Sequence, residues 1–289
     1  MPQTPDWLIR SALFVPGADE RKLARATTAG ADALIYDLED AVAAEHKAGA
    51  RERVCAALAG PGPALRLVRV NALDTPWGPP DIRAVAAAGA RGVLIPKCDS
   101  PVTLAQADAL LAGTQTRLVA LIETPAGVFD LPALTAASPR LAALGFGHAD
   151  FSHAAGLPDM RSEGGLVWHA RAQIALAAKA RGLLALDCVG LEVRDEAAFR
   201  ADAALGRSLG YDGKLCIHPM QVAVVNALYA PDDAAIDHAR RVLAAWDAAR
   251  AQGLAVVAVD GRMVDAPVVA AARRTLARAG LESGTTRTP

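Results

Sequence analysis

Short apolar runs recur along this chain every 20 to 40 residues or so, and an Ala-rich stretch with helical spacing follows each one. Eight of the runs are β-prone: residues 12–15, 33–36, 65–70, 92–96, 118–122, 141–146, 184–189 and 214–218. The helical stretches fall at 21–31, 44–59, 81–90, 102–112, 125–137, 165–181, 196–209 and 220–228. Such alternation predicts an α/β fold of parallel β/α units, and eight of each predict a closed TIM (β/α)8 barrel rather than an open sheet. Several helical stretches stop at a glycine suited to a left-handed C-cap: Gly30, Gly89, Gly113, Gly182 and Gly210. The stretch between the sixth and seventh strands is the longest and predicts a loop over the barrel mouth around 154–164.

After Tyr229 the pattern changes. Pro231-Asp232-Asp233 starts a helix that runs to about Ala251, and Gly253 stops it. Residues 255–265 read as two short strands around Asp260-Gly261, and a last helix covers 267–279. The predicted organisation is therefore a barrel over 1–229, a C-terminal helix-hairpin-helix lid or subunit-contact arm over 230–280, and a frayed polar tail over 281–289.

Composition changes this picture little. With 289 residues and 53% apolar content, one large domain with a sizeable core is expected. Thirty basic against 31 acidic residues leave a net charge of -1, which gives no global attraction to nucleic acid or membrane. Any anionic ligand must be recognised by local charges. Cys55, Cys98, Cys188 and Cys216 are widely spaced and read as reduced thiols, and no apolar run is long enough for a membrane span. A soluble, cytoplasmic protein is expected.

The polar residues fall at the ends of the strands. Pro16-Gly17 follows the first, Asp37-Leu38-Glu39-Asp40 the second, and Arg69-Val70-Asn71 closes the third. Lys97 follows the fourth, Glu123 the fifth and Asp150 the sixth, while Asp187 sits in the seventh and His218 ends the eighth. All these ends open on one face of such a barrel, where active sites are built, so the residues are predicted to converge on one cup.

Glu123 and Asp150 each stand beyond an apolar run, where an unpaired carboxylate is costly but a cation is welcome. Two hard oxygen ligands without a convergent His or Cys set favour magnesium that keeps several waters. The alternative is that either acid pairs with Arg69 or caps a helix. His148, Asp150 and His153 raise a rival zinc site, although their spacing suits no standard ligand pair. Lys97 raises Schiff-base chemistry, or a charged pair with Asp99 near the rim. Lys214 begins its strand and is expected at the other end of the barrel. Arg69, flanked by valines, should point into the barrel or its mouth, where guanidinium suits a carboxylate or a developing enolate oxygen. Pairing with Glu39 or Asp40 is compatible with that role.

Taken together, these stretches resemble the citrate lyase β-subunit and malyl-CoA lyase group of the HpcH/HpaI aldolase superfamily. The resemblance is carried by residues 10–17 (RSALFVPG), 30–42 (GADALIYDLEDAV), 69–71 (RVN), 95–97 (IPK), 122–127 (IETPAG), Phe146-Gly147 with Asp150, 213–219 (GKLCIHP) and 260–265 (DGRMVD). It implies a magnesium-bearing barrel, with manganese able to substitute, that cleaves or forms a carbon–carbon bond in a 3-hydroxyacyl-CoA thioester. It further implies metal ligation at Glu123 and Asp150, the oxo acid and forming enolate at Arg69, and Glu39 and Asp40 acting around the metal waters. By the same resemblance Asp265 is an acid or base that reaches a neighbouring subunit's site, and Pro16, Gly17 and Lys22 mark the segment that meets the coenzyme A phosphates. A homotrimer is implied. A citrate lyase β-type subunit that needs an acyl carrier partner is the second reading, and a thioester synthase or hydrolase a related one. The chain departs from related sequences after the sixth strand, where Ala149 precedes Asp150 and Ala154-Ala155 follows, a difference that bears on the substrate.

Overall fold

The computed structural model describes residues 7–60, 62, 64–160 and 164–280. The tail expected at 281–289 and part of the loop expected at 154–164 lie outside them. In chain order the elements begin β1 (Ser11–Pro16), α1 (Glu20–Ala26), β2 (Ala33–Asp37), α2 (Lys47–Leu58), β3 (Leu65–Arg69), α3 (Gly78–Ala87), β4 (Gly92–Ile95) and α4 (Pro101–Leu110). They continue β5 (Arg117–Ile122), α5 (Pro125–Phe129), α6 (Leu131–Leu134), β6 (Leu141–Phe146), α7 (His148–Ala154), α8 (Gly165–Arg181), β7 (Leu184–Asp187), α9 (Glu196–Ser208), β8 (Gly213–Cys216) and α10 (Pro219–Tyr229). Last come α11 (Asp233–Ala251), β9 (Val257–Val259), β10 (Arg262–Val264) and α12 (Ala266–Arg278). The chain divides into two compact units, Met1–Tyr229 and Ala230–Pro289.

In the first unit β1 to β8 pair in sequence order, all parallel, and β8 closes back onto β1. Side chains alternate along each strand, so each strand feeds two cores. Ile35, Leu67, Leu94, Val119, Leu121, Leu186 and Leu215 fill the barrel interior. Leu34, Val68, Val93, Leu118, Ala120, Leu144 and Cys216 point outward into the layer beneath the helices. Among the described residues, no helix is long and apolar enough to cross a membrane. The five glycines expected at C-caps all take positive φ, from 68° to 96°.

Two expectations need correction, and one element was not predicted. The stretch 125–137 is two short helices, because Pro132 lacks an amide hydrogen and starts a new helix at α6 instead of extending α5. The region after β6 opens with a helix, α7, that was not predicted, ahead of the loop expected around 154–164. It has no sustained apolar period, but its His148, Phe151 and Ser152 are buried. Asp187 and Lys214 do not reach the mouth. Both lie one step out of phase with the inward-facing Leu186 and Leu215, so they point outward and are fully buried. Arg171 of α8 grips Asp187 through two bonds of 2.7 and 2.6 Å and meets Asp202 of α9 at 2.9 Å. Lys214 Nζ joins the same two acids at 2.9 and 2.6 Å. Two cations and two anions thus tie α8 and α9 to β7 and β8. Lys214 is kept from the mouth by its face, not by its place along the strand.

In the second unit α11 and α12 pack together with the β9–β10 hairpin around Ala239, Val242, Val259, Val264, Val269 and Leu276. The hairpin turns at Asp260-Gly261, both with positive φ (52° and 75°), the two-residue turn that the Asp-Gly pair predicts. Asp232 caps α11 through Ala235 N–H at 2.8 Å, and Asp265 caps α12 through Val268 N–H at 3.3 Å.

Candidate active site

The same two-residue period that fills the barrel builds its mouth. Two residues beyond inward-facing Ile35, Leu67 and Leu121 stand Asp37, Arg69 and Glu123, which share their inward direction. They line a cavity of about 440 Å3 together with Phe14, Pro16, Asp40, His148 and Asp150.

Arg69 is the hub of one side. Its Nε and Nη2 donate to the two oxygens of Asp37 at 2.8 and 2.7 Å, a bidentate fork. Its Nη1 lies 3.1 Å from carboxylate oxygens of both Glu39 and Asp40, and its Cζ lies 5.0 Å from the Phe14 ring centroid. Burial works against the charge, yet the hydrogen bonds and charges of these acids hold the guanidinium well above its ordinary pKa. Pairing with Glu39 and Asp40 is therefore real. The stronger partner, Asp37, was visible in the sequence only as the head of an acidic run, although counting two residues on from Ile35 singles it out. Asp37 also accepts the Glu39 and Ala41 amides, which shapes the turn that presents Glu39 and Asp40. Lys47 donates to the Leu38 and Glu39 carbonyls at 2.8 and 2.7 Å and supports that turn from below.

Glu123 is 2% exposed. One of its oxygens accepts the Lys97 backbone N–H at 2.6 Å, from a residue held in the left-handed region at φ 46°. A side chain on Gly147 would collide with the Glu123 carboxylate, so only glycine leaves room for it there. Burial pushes Glu123 up to about 8, with the charges of Glu39 and Asp150 adding to the rise and the Lys97 amide and Arg69 opposing it. Burial also raises Glu39, against the pull of Arg69 and Lys97. Although near Arg69, Glu39 Oε2 is buried and accepts no hydrogen bond. Acids crowded and desolvated in this way call for a cation. Half-buried Asp150, on the first turn of α7, lines the same cavity. The residues present fit a hard divalent ion held by Glu123 and Asp150, with Glu39 close by and open positions for water and ligand.

The rival sites fare worse. His148, Asp150 and His153 do not bring their ligand atoms together as a three-residue group. His148 is buried and held down to about 4 by that burial and by Lys214, while His153 is exposed. Among the described residues the grouped acids and thiol are Asp187, Cys188 and Asp202, whose carboxylates already meet Arg171 and Lys214. Lys97 pairs with Glu39 at 3.0 Å, not with Asp99. Burial opposes its charge, but the Glu39 bond and charge outweigh that and hold its pKa above the ordinary lysine value, the wrong state for an amine nucleophile.

Of the remaining predicted residues, Pro16 lines the mouth, and Gly17 donates its amide to the Asp37 carbonyl at 2.9 Å. Lys22 is exposed on α1 beside Asp19. His218 lies beyond the end of β8, where its Nδ1 accepts the Met220 amide at 3.2 Å. Asp265 belongs to the second unit, at the N-cap of α12.

Fold and mouth together define a (β/α)8-barrel protein with an acid-rich, arginine-braced cup. The chain belongs to the HpcH/HpaI aldolase/citrate lyase family, whose profile matches residues 10–219. It is 39% identical to the citrate lyase subunit beta of Escherichia coli K12 over 94% of this chain and 93% of that one. It is 40% identical to a (3S)-malyl-CoA thioesterase of Cereibacter sphaeroides over 93% and 94%. Among solved structures, CitE of Mycobacterium tuberculosis in complex with magnesium, acetoacetate and coenzyme A matches with a TM-score of 0.77 and 33% identity, covering 95% of this chain and 99% of that one. The citrate lyase beta subunit of the same organism, complexed with oxaloacetate and magnesium, matches at 0.69 and 32% over 78% of this chain and 99% of that one.

Proposed function

We propose that this chain is a magnesium-dependent carbon–carbon lyase that cleaves, or in reverse forms, a 3-hydroxyacyl-CoA such as malyl-, citramalyl- or citryl-CoA. The products are an oxo acid and an acyl-CoA. The observation that carries the reading is Glu123, desolvated and pushed up to about 8 in a cup it shares with Asp150 and Arg69, with the charge of Glu39 close by. Relatives named for citrate lyase and malyl-CoA chemistry support the thioester class.

In this reading Glu123 and Asp150 hold the metal, which when bound supplies Lewis-acid polarisation of the substrate hydroxyl and carboxylate. Glu39 and Asp40, at the inner wall and the rim, accept the hydroxyl proton through water. The bond between C2 and C3 then breaks, C3 becomes the carbonyl of the oxo acid, and the electron pair passes into the thioester as its enolate. Arg69, fixed in orientation by the Asp37 fork, faces the oxo acid carboxylate. Asp265 returns a proton to C2, acting from a neighbouring subunit of a homotrimer. The segment from Pro16 and Gly17 to Lys22 meets the coenzyme A phosphates.

A panel of malyl-, methylmalyl-, citramalyl- and citryl-CoA, assayed with magnesium while oxo acid and free CoA are followed separately, tests this. The expected result is magnesium-dependent oxo acid release with the acyl-CoA left intact. Free CoA without oxo acid would place the activity with the thioesterase relative instead. Turnover only on an acyl carrier protein would favour a carrier-dependent lyase subunit, and undiminished turnover after exhaustive chelation would refute the metal role.

A further inference from the structure

Among the described residues that line the mouth, only Arg69 and His148 have side chains that donate hydrogen bonds. Each nitrogen of Arg69 already faces a carboxylate, Asp37 on one side and Glu39 with Asp40 on the other. His148 has no such engagement. It is 4% exposed, and its Nδ1 is sealed from solvent without a hydrogen-bond partner. An imidazole left in that state weakens the fold, and packing alone would favour a third phenyl ring beside Phe146 and Phe151. A polar group kept where apolar packing would be more stable points to a ligand.

The surroundings say which part of a ligand. His148 and Val189 form the wall that the mouth shares with a second cavity of about 600 Å3, lined largely by Leu191, Phe199, Leu205 and other apolar side chains. Hydroxyl and carboxylate of the substrate belong to the acidic, metal-fitted side, at Glu123, Asp150 and Arg69. The thioester, neutral and bordered by carbon and sulfur, is the part that suits a half-apolar wall. With Nδ1 closed off, the ring proton belongs on Nε2, the nitrogen that is not sealed.

We propose that His148 is a catalytic residue that donates a hydrogen bond from Nε2 to the thioester carbonyl oxygen and keeps it as that oxygen becomes the enolate. This rests on the acyl-thioester reading above and adds the donor at the opposite end of the substrate from the metal. No proton is transferred in the step: as the carbon–carbon bond breaks, its electron pair moves toward the carbonyl oxygen, and the imidazole retains its hydrogen.

The test compares equilibrium binding of acetyl-CoA with that of S-ethyl-CoA, a thioether lacking the carbonyl, in the presence of magnesium chloride. Wild-type protein should prefer acetyl-CoA by about tenfold, the worth of one hydrogen bond. His148→Phe should bind both equally, with a thermal midpoint at or above wild type because the unpaired nitrogen is gone. His148→Gln, which keeps a donor, should retain most of the preference. On a substrate that turns over, His148→Phe should lower kcat by about 100- to 1,000-fold with a much smaller change in KM. A wild type without the preference, or a His148→Phe protein that keeps it or keeps kcat within about twofold, would overturn the inference. If no thioester is cleaved but the preference exists and vanishes in His148→Phe, the lyase reading falls, the hydrogen bond to the thioester carbonyl stands and the catalytic role is overturned. If lysis is found and the preference survives the substitution, the outcome is the reverse.

Discussion

Glu123 links proton, metal and stability at a single carboxyl. Its pKa, pushed up to about 8 by burial and by the charges of Glu39 and Asp150, lies above the value of about 4.3 expected in the unfolded chain. Between those two values the folded protein holds a proton that the unfolded chain has lost, so metal-free stability falls as pH rises through that window. Magnesium needs the carboxylate, so its stabilising effect should grow from about pH 6 to about pH 8 as the proton competes less. Glu123→Gln should flatten the metal-free pH dependence and abolish the magnesium-induced rise in thermal midpoint. Thermal unfolding at several pH values, with and without magnesium, measures both. A magnesium shift equal at both pH values and unchanged in Glu123→Gln would count against Glu123 as a ligand. Glu123 was legible in the sequence because a carboxylate directly after five apolar residues has no ordinary packing role. His148 was raised only as a rival zinc ligand, since a single histidine beside a glycine gives no sign of which ring nitrogen will be sealed.

At the scale of elements, the site depends on how closely β5 and α7 approach. Gly147 is the N-cap of α7 and donates its amide to the Ile122 carbonyl at 2.9 Å, so a Cβ there would lie 2.7 Å from the Glu123 Cβ. Gly147→Ala should therefore displace Glu123, weaken magnesium binding by about tenfold or more and lower turnover, with the barrel still folded; isothermal titration with magnesium and circular dichroism check the two halves. A second prediction concerns the outer layer. Arg171→Met removes the buried cation that grips Asp187 and meets Asp202, and should cost about 3 to 5 kcal/mol in urea unfolding. Strands and long helices were legible because apolar period and glycine stops agree. The break between α5 and α6 and the existence of α7 were not. All three are helices of seven residues or fewer, too short for a 3.6-residue period to show, and tertiary burial of Phe151 and Leu131 decides α7 and α6. Asp187 was misplaced for a different reason: the sequence shows that a strand ends in an acid but not which face that acid shares.

At the scale of the whole molecule, the barrel supplies Arg69 and the second unit supplies Asp265, and the proposed reaction needs both. Closure of the barrel was legible from the number of β/α units, and the hairpin of the second unit from Asp260-Gly261, because both follow from local spacing. Whether Asp265 serves its own chain or a neighbour is a property of assembly, which local spacing does not encode. Mixed oligomers separate the two cases. Arg69→Ala and Asp265→Ala proteins should each be close to inactive alone. If every site takes Arg69 from one chain and Asp265 from the next around a closed ring, random one-to-one mixing makes about one quarter of the sites intact in both positions, whatever the ring size. Activity should then rise from background to about a quarter of the wild-type value per site, and follow subunit exchange in time. If both residues come from one chain, no combination restores a site, and activity stays at background. Two affinity tags, one on each variant, show that mixed oligomers have formed, so a flat activity trace in doubly tagged material would rule out action across subunits.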